Sequence, residues 1–313
     1  MTKVVFMGTP QFAVPILEGL VKSGVEISFV VTQPDRPVGR KKVLTPPPVK
    51  VCAEKNGLRV LQPELISKSE ELEILMQTEF DLIITAAFGQ FLPEKLLHHA
   101  KVGAINVHAS LLPKYRGGAP VHYAIMNGDE EIGVTIMEMV KQMDAGDMLA
   151  SRSIPITDSD DVGVMFEKLS LLGRNLLLEI LEDYLAGKIQ GIAQDETKVS
   201  FSPNITREQE VIDWSKSARS VFNQIRGLHP FPVAHTTWEE KRLKIYKATL
   251  PVAQATGEVG EVVKREKNSL WIIAGDQQVV ALEEVQLAGK SKMNIQEFLN
   301  GVGQKIKIGD KLG

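Results

Sequence analysis

Through the first half of the chain, short apolar runs alternate with stretches of helical spacing, an alternation that predicts a mostly parallel sheet. Residues 4–7 read as a strand, Gly8-Thr9-Pro10 as a turn, and 12–22 as a helix with its apolar positions on one face. Residues 27–32 form a β-branched strand. Two more buried strands follow at 81–86 and 103–108, with a short helix at 94–97 between them. Residues 133–139 and 148–156 read as a β pair around a loop. A long amphipathic helix over 158–185 comes next, with Asp158 or Ser159 as its cap and Gly187 as its stop.

The pattern then changes. Residues 190–204 are polar and without periodicity, which predicts a linker. Beyond it, a helix at 215–227 precedes short strands at 233–238, 243–249, 257–263, 270–274 and 279–285. A short helix at 294–299 interrupts before a last run at 305–308. Several short strands with polar turns predict a small barrel, for which an OB-type fold is a fit. The expected organisation is a Rossmann-like α/β domain over 1–189, a linker over 190–204, and a smaller OB-like β-barrel domain over 205–313.

Composition narrows the class. Apolar residues make up 43% of the 313 positions, enough for a real core. No apolar run approaches the ~18 residues of a membrane span. The first strand begins at residue 4 with no basic-plus-apolar leader before it, so a cytoplasmic protein is expected. Cys52 is the only cysteine, which excludes disulfide frameworks and cysteine zinc ribbons. Residues 1–204 carry 20 Lys/Arg against 26 Asp/Glu, and residues 205–313 carry 16 against 13. The mildly basic second part suits an anionic partner, and equally a solvated surface.

The candidate chemistry centres on residues 105–120, INVHASLLPKYRGGAP. Asn106 and His108 lie two apart at the end of a strand, so they emerge on one face at the edge where open α/β sheets bind ligands. An amide donor beside a titratable base suits acyl transfer, one for the oxyanion and one for the proton. The same pair also suits plain strand-end capping. Pro113 breaks the backbone ladder, the turn 115–120 adds backbone freedom, and Arg116 adds a charge at this edge. Asp144 in Met143-Asp144-Ala145-Gly146-Asp147 fits an Asx turn, or a carboxylate that orients His108. No His/Asp/Glu cluster of metal-ligand spacing accompanies it, so no metal is expected. Residues 8–13, GTPQFA, lack the G-x-G-x-x-G pattern, which argues against a dinucleotide. Residues 33–50 place Arg36, Arg40, Lys41 and Lys42 among five prolines and one glycine. That is a solvated loop or a phosphate-contacting finger, and charge alone does not choose.

These residues resemble the 10-formyltetrahydrofolate-dependent formyltransferases. INVHASLLPKYRGGAP is similar to the signature of that family. TQPDRPVGRKK, GVTIMEMVKQMDAGDML and IDWSKSARSVFNQIRGLHPFP narrow the resemblance to its branch acting on methionyl initiator tRNA. The resemblance runs over nearly the whole chain. Ala109, Phe88 and Gly118 depart from the commonest residues without removing a chemical group. It implies Asn106, His108 and Asp144 as a catalytic trio. It implies folate contacts at Ser110, Leu111, Leu112 and Pro113 and, lining the pterin pocket, at Phe88, Gly89, Gln90, Phe91 and Leu92. Arg40 matches an arginine that reads the acceptor end of the tRNA, with Arg36, Lys41 and Lys42 beside it. The implied cosubstrate is 10-formyltetrahydrofolate, the implied partner is initiator methionyl-tRNA, and a monomer is expected. Two other readings stand beside this one: a related formyltransferase or formyltetrahydrofolate hydrolase using a small amine or water, and a noncatalytic OB-type RNA-binding protein.

Overall fold

The computed structural model describes residues 2–39 and 41–313. In chain order the elements of the first part are β1 (Lys3–Gly8), α1 (Val14–Ser23), β2 (Glu26–Val31), β3 (Arg36–Val38), β4 (Val43–Thr45), α2 (Pro48–Lys55), β5 (Val60–Leu61) and α3 (Glu70–Met76). There follow β6 (Leu82–Ala86), α4 (Glu94–Leu97), β7 (Gly103–His108), α5 (Pro120–Asn127), β8 (Glu131–Glu138), β9 (Met148–Pro155) and α6 (Val162–Leu185). The remainder comprises α7 (Ala218–Gly227), β10 (His235–Trp238), β11 (Lys241–Thr249), β12 (Val262–Glu266), β13 (Ser269–Ile273), β14 (Val279–Leu287), β15 (Met293–Asn294) and α8 (Ile295–Asn300).

The chain forms two compact units. One comprises Met1–Pro120, Glu131–Pro155 and Phe166–Pro203; the other comprises Val121–Glu130, Ile156–Met165 and Asn204–Gly313. The first holds a seven-stranded sheet in the order β5-β2-β1-β6-β7-β8-β9. The pairs from β5 to β7 are parallel, and β8 and β9 add on antiparallel. Strand order reverses at β1, which has β2 on one side and β6 on the other. The carboxyl ends of these strands are therefore a topological switch point, where such sheets leave a crevice.

Burial explains why these segments form strands. Val4, Val5, Phe6 and Met7 are fully buried, as are Leu82, Ile83 and Ile84. Strands covered on both faces read as continuous apolar runs, unlike the alternating pattern of a half-exposed strand. α6 crosses β7 closely. A Cβ on Gly173 would stand 2.7 Å from Cγ1 of Val107, so glycine is what permits this approach. The helix buries Leu169, Leu176, Leu177, Ile180 and Tyr184 at three- and four-residue spacing.

The second unit holds a six-stranded antiparallel sheet along the path β10-β11-β14-β13-β12, with β15 on β14. Trp238 meets Phe298 edge to face at 5.9 Å within its core. α7 starts at a Ser217 cap and α8 at a capping box of Asn294 and Glu297. The long helix starts later than its periodicity predicts. Thr157 donates from both its N–H and its hydroxyl to Asp160, closing a turn, and Asp161 rather than Asp158 or Ser159 accepts from Val164 N–H. Among the described residues, no helix is long and apolar enough to cross a membrane.

Candidate active site

β7 carries Asn106 and His108 to the carboxyl edge of the sheet, between β6 and β8. Asn106 pairs with Thr85 on β6 and Met137 on β8; His108 pairs with Thr135. The Thr85 hydroxyl donates to Asn106 Oδ1 at 2.7 Å. That bond leaves the amide NH2 as the end free to turn toward a ligand. His108 is 6% exposed, and its Nε2 lies 3.0 Å from the carbonyl of Tyr115. Only a protonated Nε2 can bond a carbonyl, so Nδ1 is the ring atom left for chemistry. Nδ1 faces Asp144 Oδ2 at 3.8 Å. The same Oδ2 accepts the N–H of Gly117 at 2.8 Å. Gly117 has φ 122°, and a Cβ there would lie 2.8 Å from the Ser202 carbonyl. Any side chain would displace the donor that holds Asp144.

Residues 110–113 lead from β7 into a turn over 112–115, closed by Lys114 N–H on the Leu111 carbonyl. Ser110 is fully buried and its hydroxyl donates to the Lys114 carbonyl at 2.7 Å. Thr135 bridges the turn, donating to Ser110 O and accepting from Leu112 N–H. Leu112 is buried, while Leu111 and Pro113 are half-buried. After β6, Ala87 and Gly89 have positive φ. Thr9 Oγ1 and Gln33 Nε2 both donate to the Phe88 carbonyl, so the GTP turn after β1 fastens this segment. Phe88 and Leu92 are buried and Phe91 is 71% exposed. The Gln90 carboxamide is committed to Ile66 N–H and to the carbonyls of Pro63 and Glu64. Ser110 and Gln90 thus brace the segments after β7 and β6, and their side chains are already occupied.

Arg36, Lys41 and Lys42 lie on the hairpin of β3 and β4, which the proline-rich composition of 33–50 hides; Arg40 lies outside the described residues. Arg36 forms a forked pair with Glu64, at 3.2 and 2.5 Å. Lys41 and Lys42 are exposed. The base of the hairpin is pinned where Lys50 and Gln62 donate to Asp35. The Gln62 hydrogen bond, then that from Lys50, holds the Asp35 carboxyl below the usual carboxylate range.

Arg116 departs from expectation. It reads as a charge presented at the edge, yet it is 1% exposed and bonded to Gln194 and Glu196. The polar stretch 190–204 is accordingly not loose. Ile192 bridges to Met148 and Phe201 to Arg116, and the Ser200 and Ser202 hydroxyls bond Tyr115 N–H and O. Thr85, Gln194, Ser200 and Ser202 all escape sequence reasoning, because their partners are remote along the chain.

Comparison with known proteins identifies this arrangement. Residues 2–181 match the formyl transferase family, and residues 204–303 match its C-terminal domain. The methionyl-tRNA formyltransferase of Enterococcus faecalis is 59% identical over the full length of both chains. That of Listeria innocua is 55% identical, again with both chains fully covered. Among solved structures, an N-formyltransferase from Helicobacter canadensis superposes with a TM-score of 0.70, covering 90% of this chain and 99% of that one at 19% identity. HypX from Aquifex aeolicus, solved with tetrahydrofolic acid, gives 0.66, covering 98% of this chain and 50% of that one, also at 19% identity. At such identities the two structures speak for the fold alone. The full-length matches go further: the chain belongs to the formyl transferase family.

Proposed function

We propose that this protein transfers the formyl group of 10-formyltetrahydrofolate to the α-amino group of methionine esterified to initiator tRNA. The observation that carries the chemistry is the juxtaposition of an oriented Asn106 amide, the Nδ1 atom of His108 and the Asp144 carboxylate at one sheet edge. The acceptor is supported by the activity of the full-length relatives and by the cationic hairpin.

In this reading the neutral amine attacks the formyl carbon, forming the new C–N bond. An α-amino group titrates near ~8, so a neutral fraction exists at pH 7. The carbonyl oxygen becomes an oxyanion, and Asn106 Nδ2 donates to it. His108 Nδ1 takes the proton released by the amine, and Asp144 stabilises the resulting positive ring. The bond to N10 of the folate then breaks, and the proton passes to that nitrogen. Atoms and charge balance without a metal or a covalent enzyme intermediate. The folate would lie along residues 110–113 and 88–92, on main-chain groups and on Leu111, Leu112, Phe88, Phe91 and Leu92. Pro113 and Gly89 would shape the turns, and Ser110 and Gln90 would brace them. Arg36, Arg40, Lys41 and Lys42 would face the tRNA.

Replacing Asn106 with alanine tests the chemistry. Loss of one preorganised oxyanion donor costs ~10²–10³ in turnover. We expect at least that loss in formyl transfer, with tRNA affinity unchanged. Turnover near that of the wild type would remove Asn106 from the mechanism.

A further inference from the structure

Gln194 sits behind the candidate site and is 8% exposed. Every polar position of its carboxamide is used. Nε2 donates to the carbonyls of Asp144 and Gly146, each at 2.8 Å. Oε1 accepts from Nε and Nη2 of Arg116 at 3.0 and 2.8 Å. The other guanidinium donors reach Glu196, at 2.8 and 3.4 Å. The residue after Arg116 donates its N–H to the Asp144 carboxylate. Asp144 is therefore gripped twice, at its carbonyl by Gln194 and at its carboxylate by Gly117, and both grips lead back to Arg116.

Two features give this grip a consequence for chemistry. Asp144 has φ 51°, a left-handed conformation that aspartate tolerates better than most side chains, and the bonds to its carbonyl and carboxylate hold it there. Its carboxylate stands 3.8 Å from His108 Nδ1, so a small movement of the turn changes how it meets the ring. A buried arginine that served stability alone would gain little over apolar packing. Here its guanidinium polarises an amide that in turn binds two carbonyls, a connected chain in which each bond strengthens the next.

We propose that Gln194, anchored by Arg116, is the positioning residue of this site: it sets the turn that aims Asp144 at His108. The inference rests on the formyl-transfer reading, because Gln194 reaches the reacting atoms only through that pair.

The test is the pH dependence of formyl transfer from 10-formyltetrahydrofolate to charged initiator tRNA. It compares the full-length protein with Asp144→Asn, Gln194→Ala, Gln194→Glu and the doubles with Asp144→Asn. A misplacement of about 1 Å can cost ~10²-fold. Gln194→Ala is expected to lower kcat by about that factor and to leave KM for tRNA in place. It should displace the pH profile in the same direction as Asp144→Asn. Adding it to Asp144→Asn should cost little more, since the two changes disable one unit. Gln194→Glu keeps an acceptor for Arg116 but sets an oxygen in place of the N–H donors against the two carbonyls; it should lower kcat as alanine does. A wild-type profile in the Gln194 variants, with loss confined to thermal stability, overturns the proposal, as does an additive double variant. Should Asp144→Asn itself leave rate and profile unchanged, it is the formyl-transfer reading that fails.

Discussion

At the scale of single residues, the Asn106 amide is useful only if its NH2 faces the reacting carbonyl. A free carboxamide can rotate by half a turn at little cost. The Thr85 hydroxyl restricts that freedom by donating to Oδ1 at 2.7 Å. Thr85→Val keeps the branched shape and removes the donor. The expected result is a fall in kcat of about tenfold, equivalent to one modest hydrogen bond, with the melting temperature nearly unchanged. Wild-type kcat in that variant would show that the amide is oriented by something else. Strand alternation marks Asn106 and His108 as a pair at a sheet edge and loop chemistry marks Asp144, but only the family resemblance joins the three as a trio. Thr85 lies 21 positions from its partner, and Gln194 lies 78 from Arg116. Only tertiary structure brings such pairs together, and no local pattern signals them.

At the scale of elements, the hairpin of β3 and β4 is the clearest difference between pattern and fold. Its strands are three residues each and exposed throughout, so neither apolar alternation nor burial marks them. Pro37, Pro46, Pro47 and Pro48, the last opening α2, read as breakers, although a proline is tolerated on an edge strand. The short helices α2, α3 and α5 escape the pattern for a related reason: at seven or eight residues they carry about two turns of periodicity. The buried strands β1, β6 and β7 are plain, since a continuous apolar run has few other uses. The hairpin delivers Lys41 and Lys42 on a braced finger, pinned at its base by Lys50, Gln62 and Asp35. Replacing both lysines with alanine should weaken tRNA binding and reduce the slope of log affinity against log salt by about 0.7–0.9 for each phosphate no longer neutralised. Folate binding should not change. An unaltered slope would return the finger to the status of a solvated loop.

At the scale of the whole molecule, the trio, the loops after β6 and β7, the Gln194 clasp and the cationic hairpin all belong to the first unit. The second unit carries the mildly basic excess of residues 205–313 and an antiparallel sheet of its own. The two units are not divided by a single cut, because Val121–Glu130 and Ile156–Met165 group with the second. Sequence pattern places the change of fold class near residue 204 but cannot see those exchanges, since each returned segment is about ten residues long. As proposed, the trio would carry formyl transfer without naming the amine that receives it. The most direct measurement is therefore formyl transfer by the purified protein from 10-formyltetrahydrofolate to charged initiator or charged elongator methionyl-tRNA, scored as formyl-methionine released from the tRNA. Rapid formylation of the initiator species and little of the elongator is expected. Formylation of neither, with consumption of the donor by water or by a free small amine, would overturn the assignment of the acceptor.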